Sequence, residues 1–129
     1  MSDTFTVEII SPDQSILNSD ANEVTIPSYE GQMGILKDHI SLITFLRPGV
    51  IYVKNKQRKK YFVEEGTVEF SNNKLLILTS TARDLAELDQ NFIEDLLNQS
   101  EKKLGDNNSS DKEKYLLTYK ISTLKEISR

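Results

Sequence analysis

The chain contains no cysteine and no tryptophan, and it has one histidine among 129 residues. Without cysteine it can form neither a disulfide framework nor a thiolate metal site, so a reducing compartment is the expectation. One imidazole, that of His39, cannot build a metal site from several histidines or a histidine relay. These absences argue against metal chemistry.

Long apolar runs are also lacking. The longest unbroken aliphatic run, Leu75 to Leu78, is far shorter than the roughly 20 residues that cross a bilayer. The first residues, starting at Met1, show no basic stretch followed by an apolar one, so we expect neither a secretory signal nor a membrane span.

Positive charge is scarce as well. The net charge is -4, from 16 basic and 20 acidic residues, and it is spread evenly along the chain. A nucleic-acid binder would show a basic stripe, so this function is not expected. The cluster of basic residues between Lys54 and Lys60 predicts a solvated hairpin tip more than a phosphate or lipid-headgroup patch.

Enzyme motifs are missing too. The sequence has no glycine-rich dinucleotide loop, no Walker loop and no nucleophile pattern, and Glu64 and Glu65 would point to opposite faces of a strand. We interpret His39 as a loop histidine positioned by its neighbours. A small hydrolase built around His39 with Asp38 or Glu30 is a remote alternative. We therefore do not expect catalysis.

The first part of the chain has the rhythm of an all-β domain. Up to about Thr81, turn signals recur every eight to twelve residues between runs rich in β-branched and aromatic residues. This predicts a β-sandwich, or flattened barrel, of about nine or ten short strands. The run Ser41 to Leu46 is apolar on both parities, which predicts a strand covered on both faces.

The period changes after Arg83. Apolar residues then recur at spacings of three and four, which predicts helices over about 85–104 and 111–127 in an antiparallel hairpin. Asp84 or Asp89 is expected to cap the first helix, and Ser110 with Glu113 predicts a capping box for the second. The expected domains are therefore 1–83 and 84–129. A hairpin with one apolar stripe per helix needs a surface to lie on.

The most specific pattern lies between Ile26 and Val50. It runs Ile-Pro-Ser-Tyr-Glu-Gly-Gln-Met-Gly-Ile-Leu-Lys-Asp-His, then a strand and Pro-Gly-Val, with Gly31 and Gly34 marking special backbone geometry. With the later segments Glu65–Phe70 and Leu75–Thr79, this ordered series resembles the epsilon subunit of F-type ATP synthases, in its bacterial form. The resemblance covers nearly the whole chain, although the tail matches mainly by pattern.

The resemblance implies a non-catalytic rotor subunit without a cofactor, coupling the gamma subunit to the c-subunit ring during proton-driven ATP synthesis. Transient partners would be the alpha and beta subunits, whose ATP hydrolysis the hairpin would inhibit. It also implies a peripheral location on the cytoplasmic face of the inner (plasma) membrane, with membrane association only through the complex. The sequence does not indicate which face of the sandwich contacts gamma.

The family's motifs give candidate residues. In the family the motif loop faces the c ring, so the candidate ring contacts are Glu30, Gly31, Gln32, Gly34 and His39, of which Gln32 is on the loop but outside the motif. Basic residues of the second helix are the candidate inhibitory contacts: Lys112, Lys114, Lys120 and Lys125. A solvated helix face explains the same lysines equally well.

Some family members bind ATP through a Leu/Ile-Asp-x-x-Arg-Ala pattern on the first helix. This chain retains Leu88 and Asp89, but Phe92 replaces the arginine and Ile93 the alanine. Without the guanidinium, phosphate recognition loses its bidentate donor, so we expect weak or absent nucleotide binding. A free-standing β-sandwich that binds a small ligand under a helical lid is the alternative to the rotor function.

Overall fold

The computed structural model describes residues 3–106 and 108–128. The ends of the two expected domains at residues 1, 2 and 129, and Asn107 of the expected interhelical loop, lie outside these ranges. Ten strands precede two helices: β1 Phe5–Ile10, β2 Ser15–Ala21, β3 Glu23–Ser28, β4 Gly31–Leu36, β5 Leu42–Leu46, β6 Gly49–Lys54, β7 Lys59–Val63, β8 Gly66–Ser71, β9 Lys74–Leu78, β10 Arg83–Asp84, α1 Gln90–Leu104 and α2 Asp111–Ile127.

The strands form one sheet that folds over itself. Its order is β10-β7-β6-β3-β5-β8-β9-β1-β2, with β4 paired to the free edge of β3. The sheet bends over itself along β3, whose first residues, up to Thr25, pair with β6 and whose last residue, Ser28, pairs with β5. Two layers result, and the expected sandwich followed by a helical hairpin is confirmed.

The core of the head, as we call residues 3–84, lies between these layers. Alternating residues such as Phe5, Val7 and Ile9 of β1 point inward and are almost fully buried. Their neighbours on the same strand face outward, as the period of two in a strand requires. The expected alternation in the first strand is therefore present.

A second, smaller core joins the hairpin to the head. Phe62 of β7, Ile93 of α1 and Leu124 of α2 are buried together. Tyr61 and Val63, on the other face of β7, belong to the core of the head. The strand β7 is therefore covered on both faces, because the hairpin lies on its outer side.

The exposure of the β5 side chains corrects the prediction that the run Ser41 to Leu46 is covered on both faces. In β5, Ile43 is 72% exposed and Phe45 is 56% exposed. Thr44 and Leu46 point into the core instead. The run is apolar on both parities, but nothing in the described chain covers its outer face.

The first helix begins later than the sequence predicts. Residues 85–104 were expected to be helical, but β10 and a 3₁₀ turn at Leu85–Glu87 come first, and Leu88 is extended. Asp84 caps the 3₁₀ turn, and Asp89 caps α1 by accepting from the amide of Asn91. Leu85 and Leu88 keep helical spacing, yet they reach the second core from non-helical backbone. The expected boundary between residues 83 and 84 falls inside β10.

The second helix shows the expected start. The Ser110 hydroxyl accepts from the amide of Glu113, whose carboxylate accepts from the Ser110 amide in return. This reciprocal pair satisfies two amides that a helix start otherwise leaves unpaired.

Gly49 allows a close approach at the start of β6. A Cβ atom there would lie 2.5 Å from Cβ of Pro27. We expect Gly49→Ala to lower the free energy of unfolding by about 1–3 kcal/mol through overpacking. Gly105 is the control, since its added Cβ would meet nothing closer than 3.6 Å. Urea titration of both variants checks the prediction, and equal midpoints would contradict it.

Candidate functional site

The candidate ring-contact residues do not lie on one loop. Residues 31–36 form β4, so Glu30 precedes this strand and His39 follows it. A strand of six residues is about 20 Å long, and the two side chains therefore lie at opposite ends of the head. Glu30, Gly31 and Gln32 stay together, whereas Gly34 lies within the strand. The sequence pattern does indicate a strand near Gln32 to Leu36, but the glycines led to the interpretation of Glu30 to His39 as one loop.

Hydrogen bonds fix the corner that carries Glu30. The buried Ser28 hydroxyl donates to the Gly31 carbonyl at 2.7 Å and accepts from the Glu30 amide at 3.2 Å. The Thr44 hydroxyl donates to the Glu30 carboxylate at 3.3 Å. This corner, Ser28–Gly31, therefore presents an exposed carboxylate on a defined backbone.

Only one of the two motif glycines has special geometry. Gly31 has a φ of 114°, which favours glycine over residues with a side chain. Gly34 has no such φ, and its added Cβ would meet only the carboxylate of Glu23, at 3.3 Å. The expectation of special backbone geometry is confirmed for Gly31 and wrong for Gly34.

His39 is held by its neighbours at the other end of the head. Its Nδ1 lies 2.7 Å from the Ile40 carbonyl oxygen, and its ring meets Phe70 edge to face at 6.0 Å. The Asp38 carboxylate accepts from the side-chain amide of Asn73 at 2.9 Å. Because Glu30 lies at the far end of β4, the alternative of a hydrolase pairing it with His39 is wrong.

The four candidate inhibitory lysines are not equivalent. Lys112 and Lys114 are exposed at the start of α2. Lys120 lies 2.7 Å from the Glu64 carboxylate of the head, and Lys125 lies 3.9 Å from Glu101 of α1. Lys120 therefore joins the hairpin to the head here, while Lys125 joins the two helices.

The remnant of the nucleotide motif has structural roles. Asp89 caps α1, and Leu88 packs against the second core. Phe92, in the place of the arginine, lies under the Arg83 guanidinium at 4.7 Å, and Ile93 is 4% exposed. These side chains pack and cap here, and Phe92 stands where the family pattern has an arginine that donates hydrogen bonds to phosphate.

An apolar surface that the sequence reading missed lies on the outer face of β5, β8 and β9. Phe45 is opposite Thr67, which is in turn opposite Leu78, so the three share one face. Ile43 lies two residues before Phe45 on that face, and Leu78 is 45% exposed. We call Ile43, Phe45 and Leu78 the apolar strip. Apolar residues at both odd and even positions of the run Ser41 to Leu46 indicated this surface, but from the sequence they were interpreted as a strand covered on both faces.

Three phenols have raised pKa values. Burial raises the pKa of Tyr61, and the carboxylates of Asp84 and Glu87 add to it. Burial also raises the pKa of Tyr52, with a contribution from Glu126. Desolvation raises the pKa of Tyr115 against an opposing effect of Arg47. Because the folded pKa values exceed the unfolded value of about 10, stability is fully present below that pH and falls as pH rises through the folded pKa values.

Within residues 3–106 and 108–128, no three side chains of the His, Cys, Asp or Glu type are grouped to hold a metal ion. Over the same ranges, no helix is both long enough and apolar enough to span a bilayer.

Comparison with known families supports the sequence resemblance. Residues 4–84 match the family described as "ATP synthase, Delta/Epsilon chain, beta-sandwich domain". An ATP synthase epsilon chain of Pelagibacter ubique is 44% identical over 99% of this chain and 100% of its own length. A chloroplastic ATP synthase epsilon chain of Pyropia yezoensis is 36% identical over 92% of this chain and 88% of its own.

Solved structures share the fold. A chain in the mitochondrial ATP synthase of Euglena gracilis, described as OSCP/F1/c-ring, superposes with a TM-score of 0.80 at 19% identity, covering 100% of this chain and 84% of that one. A chain in the central stalk and c-ring structure of the Tetrahymena thermophila enzyme gives a TM-score of 0.64 at 14% identity, covering 96% of each. At these identities the likeness shows the fold alone.

Proposed function

Because the chain belongs to the epsilon family of F-type ATP synthases, a non-catalytic stalk subunit, we propose that it couples the gamma subunit to the c-subunit ring. The mechanism is mechanical, since torque passes through packed surfaces and no residue performs a reaction. Its place is peripheral, on the cytoplasmic face of the membrane, and it reaches the membrane only through the complex.

We assign the surface that binds gamma to the apolar strip. Ile43 is 72% exposed and Phe45 is 56% exposed on the same outer face, where an isolated domain would place polar residues. Apolar and aromatic side chains dominate the energetic centre of protein interfaces. The hairpin covers the other layer through β7, so the strip remains available to a partner.

The corner Ser28–Gly31 is the proposed ring contact. Its hydrogen bonds fix the backbone around Glu30, which is an exposed residue, and the exposed Gln32 follows on the same end. A fixed carboxylate suits a polar contact with basic groups on the loops of the ring. Gly34 and His39 lie outside this surface.

A charge change at the corner tests this assignment. We expect Glu30→Lys to weaken the association of the assembled catalytic head and stalk with ring-containing vesicles by about tenfold at low salt, with less effect at high salt. Co-sedimentation with the vesicles measures it. His39→Ala, at the opposite end of the head, should leave association unchanged. Equal losses in both variants would refute the placement.

The hairpin is the proposed restraint on ATP hydrolysis. Its contact with the head includes a small apolar core, aromatic contacts and the ion pair of Lys120 with Glu64. Exposed lysines at the start of α2, Lys112 and Lys114, supply positive charge for an acidic segment of the alpha and beta subunits. Release of the hairpin would bring them to these subunits.

Nucleotide binding by the hairpin is expected to be weak or absent. The side chain in the arginine position is Phe92, which is occupied by its contact with Arg83. A calorimetric titration of the isolated chain with ATP into the millimolar range should show no saturation. Saturable binding would contradict the expectation and would imply that another side chain donates hydrogen bonds to the phosphates.

A further inference from the structure

Three polar and aromatic contacts connect the N-terminal and central turns of α2 to the head. The ring of Tyr115 stacks on Tyr29, with centroids 5.9 Å apart and planes 8° apart. The Arg47 guanidinium lies 3.9 Å from the centre of the Tyr119 ring. The Lys120 ammonium meets the Glu64 carboxylate at 2.7 Å. We call these three pairs the latch.

The latch differs in character from the rest of the interface. The second core holds the C-terminal half of α2 through Leu124, which is 1% exposed. In the latch, by contrast, Tyr29 is 41% exposed and Tyr115 is 38% exposed. Contacts of this kind are worth less than buried apolar packing, and they depend on how each partner is oriented. The Tyr29–Tyr115 pair is therefore a weaker contact than the second core.

The head side of the latch is built on the corner that carries Glu30. Tyr29 directly precedes Glu30, and its amide donates to the Phe45 carbonyl at 3.1 Å. The Arg47 amide donates to the Pro27 carbonyl at 2.9 Å, just before the corner begins. A change in the position of this corner must therefore move two of the three contacts.

We propose that the latch links docking of the hairpin to contact at the Glu30 corner. The backbone of the corner is already held by hydrogen bonds, so a partner that binds there restricts the exposed Tyr29 side chain, and less side-chain entropy is lost when α2 docks. Ring contact then stabilises the docked hairpin, and loss of ring contact favours its release. This inference rests on the proposed function for the identity of the partner, but the latch itself does not.

The latch can be tested in the isolated full chain with a single engineered thiol. The chain has no cysteine, and Thr123 on α2 is 9% exposed between the helix and the head. In a Thr123→Cys background, the thiol reacts with a disulfide reagent mainly when α2 leaves the head. We expect Tyr29→Ala or Arg47→Gln to accelerate this reaction about threefold to tenfold.

Two further variants separate the latch from general damage. Lys120→Glu should also accelerate the reaction, and adding Glu64→Lys should restore the slow rate by re-forming the ion pair. Lys125→Gln is the matched control, because its partner Glu101 lies within the hairpin. Unchanged rates in the Tyr29 and Arg47 variants, or an equal acceleration in the control, would overturn the latch.

The linkage is tested by comparing the assembled catalytic head and stalk without and with the c ring. We expect the ring to slow reaction of the Thr123→Cys thiol at least twofold when Tyr29 is present, and to have no effect in Tyr29→Ala. Equal rates with and without the ring would overturn the linkage. If the chain did not enter the complex at all, the proposed function would be overturned instead. The reaction rates in the isolated chain would still show whether the latch exists.

Discussion

Replacing Ile43 by glutamate is expected to reduce binding to a gamma subunit roughly a hundredfold or more, because burial of an unpaired charge costs several kcal/mol. Ile43 is 72% exposed in the isolated chain, so the substitution should leave the fold intact. Ile43 is paired with Glu69 of β8, so the added like charge should lower the free energy of unfolding by no more than about 1 kcal/mol, and the main loss should appear in association.

Gln57→Glu is the matched control for this variant. It adds the same charge at an exposed position on the turn between β6 and β7, away from the apolar strip. Binding to purified gamma, measured by calorimetry, should be unchanged in the control. If Ile43→Glu binds as tightly as the natural chain, gamma does not lie on the apolar strip.

Deleting residues 106–129 is expected to raise ATP hydrolysis by the assembled enzyme several-fold. The deletion removes α2 with all four candidate lysines, so neither the docked hairpin nor its released form can reach the catalytic subunits. Steady-state ATPase activity at equal stoichiometry of the subunits measures the effect. Unchanged hydrolysis would remove the inhibitory role and leave the coupling role untouched.

A charge-matched pair of double variants sharpens this experiment without removing the helix. Lys112→Gln with Lys114→Gln neutralises two exposed lysines of α2, while Lys102→Gln with Lys103→Gln neutralises two on α1. We expect only the α2 pair to raise hydrolysis. An equal rise in both would show that net charge, not the position of the lysines, controls the rate.

Local patterns predicted most of the fold. Strand alternation and turn residues located nine strands, because each strand of the head has one face in the core. The strand β10 was missed since two residues cannot show a period. The helix start was placed too early because Leu85 and Leu88 keep helical spacing while packing from a 3₁₀ turn and extended backbone.

The interaction surfaces were harder to predict for a physical reason. Apolarity on both parities of β5 predicts that both faces are covered, but it does not indicate whether this chain or a partner covers them. Similarly, Gly31 and Gly34 suggested a loop, although one shapes a corner and the other lies in a regular strand. The latch requires pairs distant in the sequence, such as Tyr29 with Tyr115, and no local pattern indicates them.

The most direct test of the rotor assignment is co-expression of the chain with a gamma subunit, followed by purification through a tag on gamma. We predict a stoichiometric complex that survives gel filtration and is lost with Ile43→Glu. Elution of the folded natural chain as a separate monomer, free of gamma, would contradict the account.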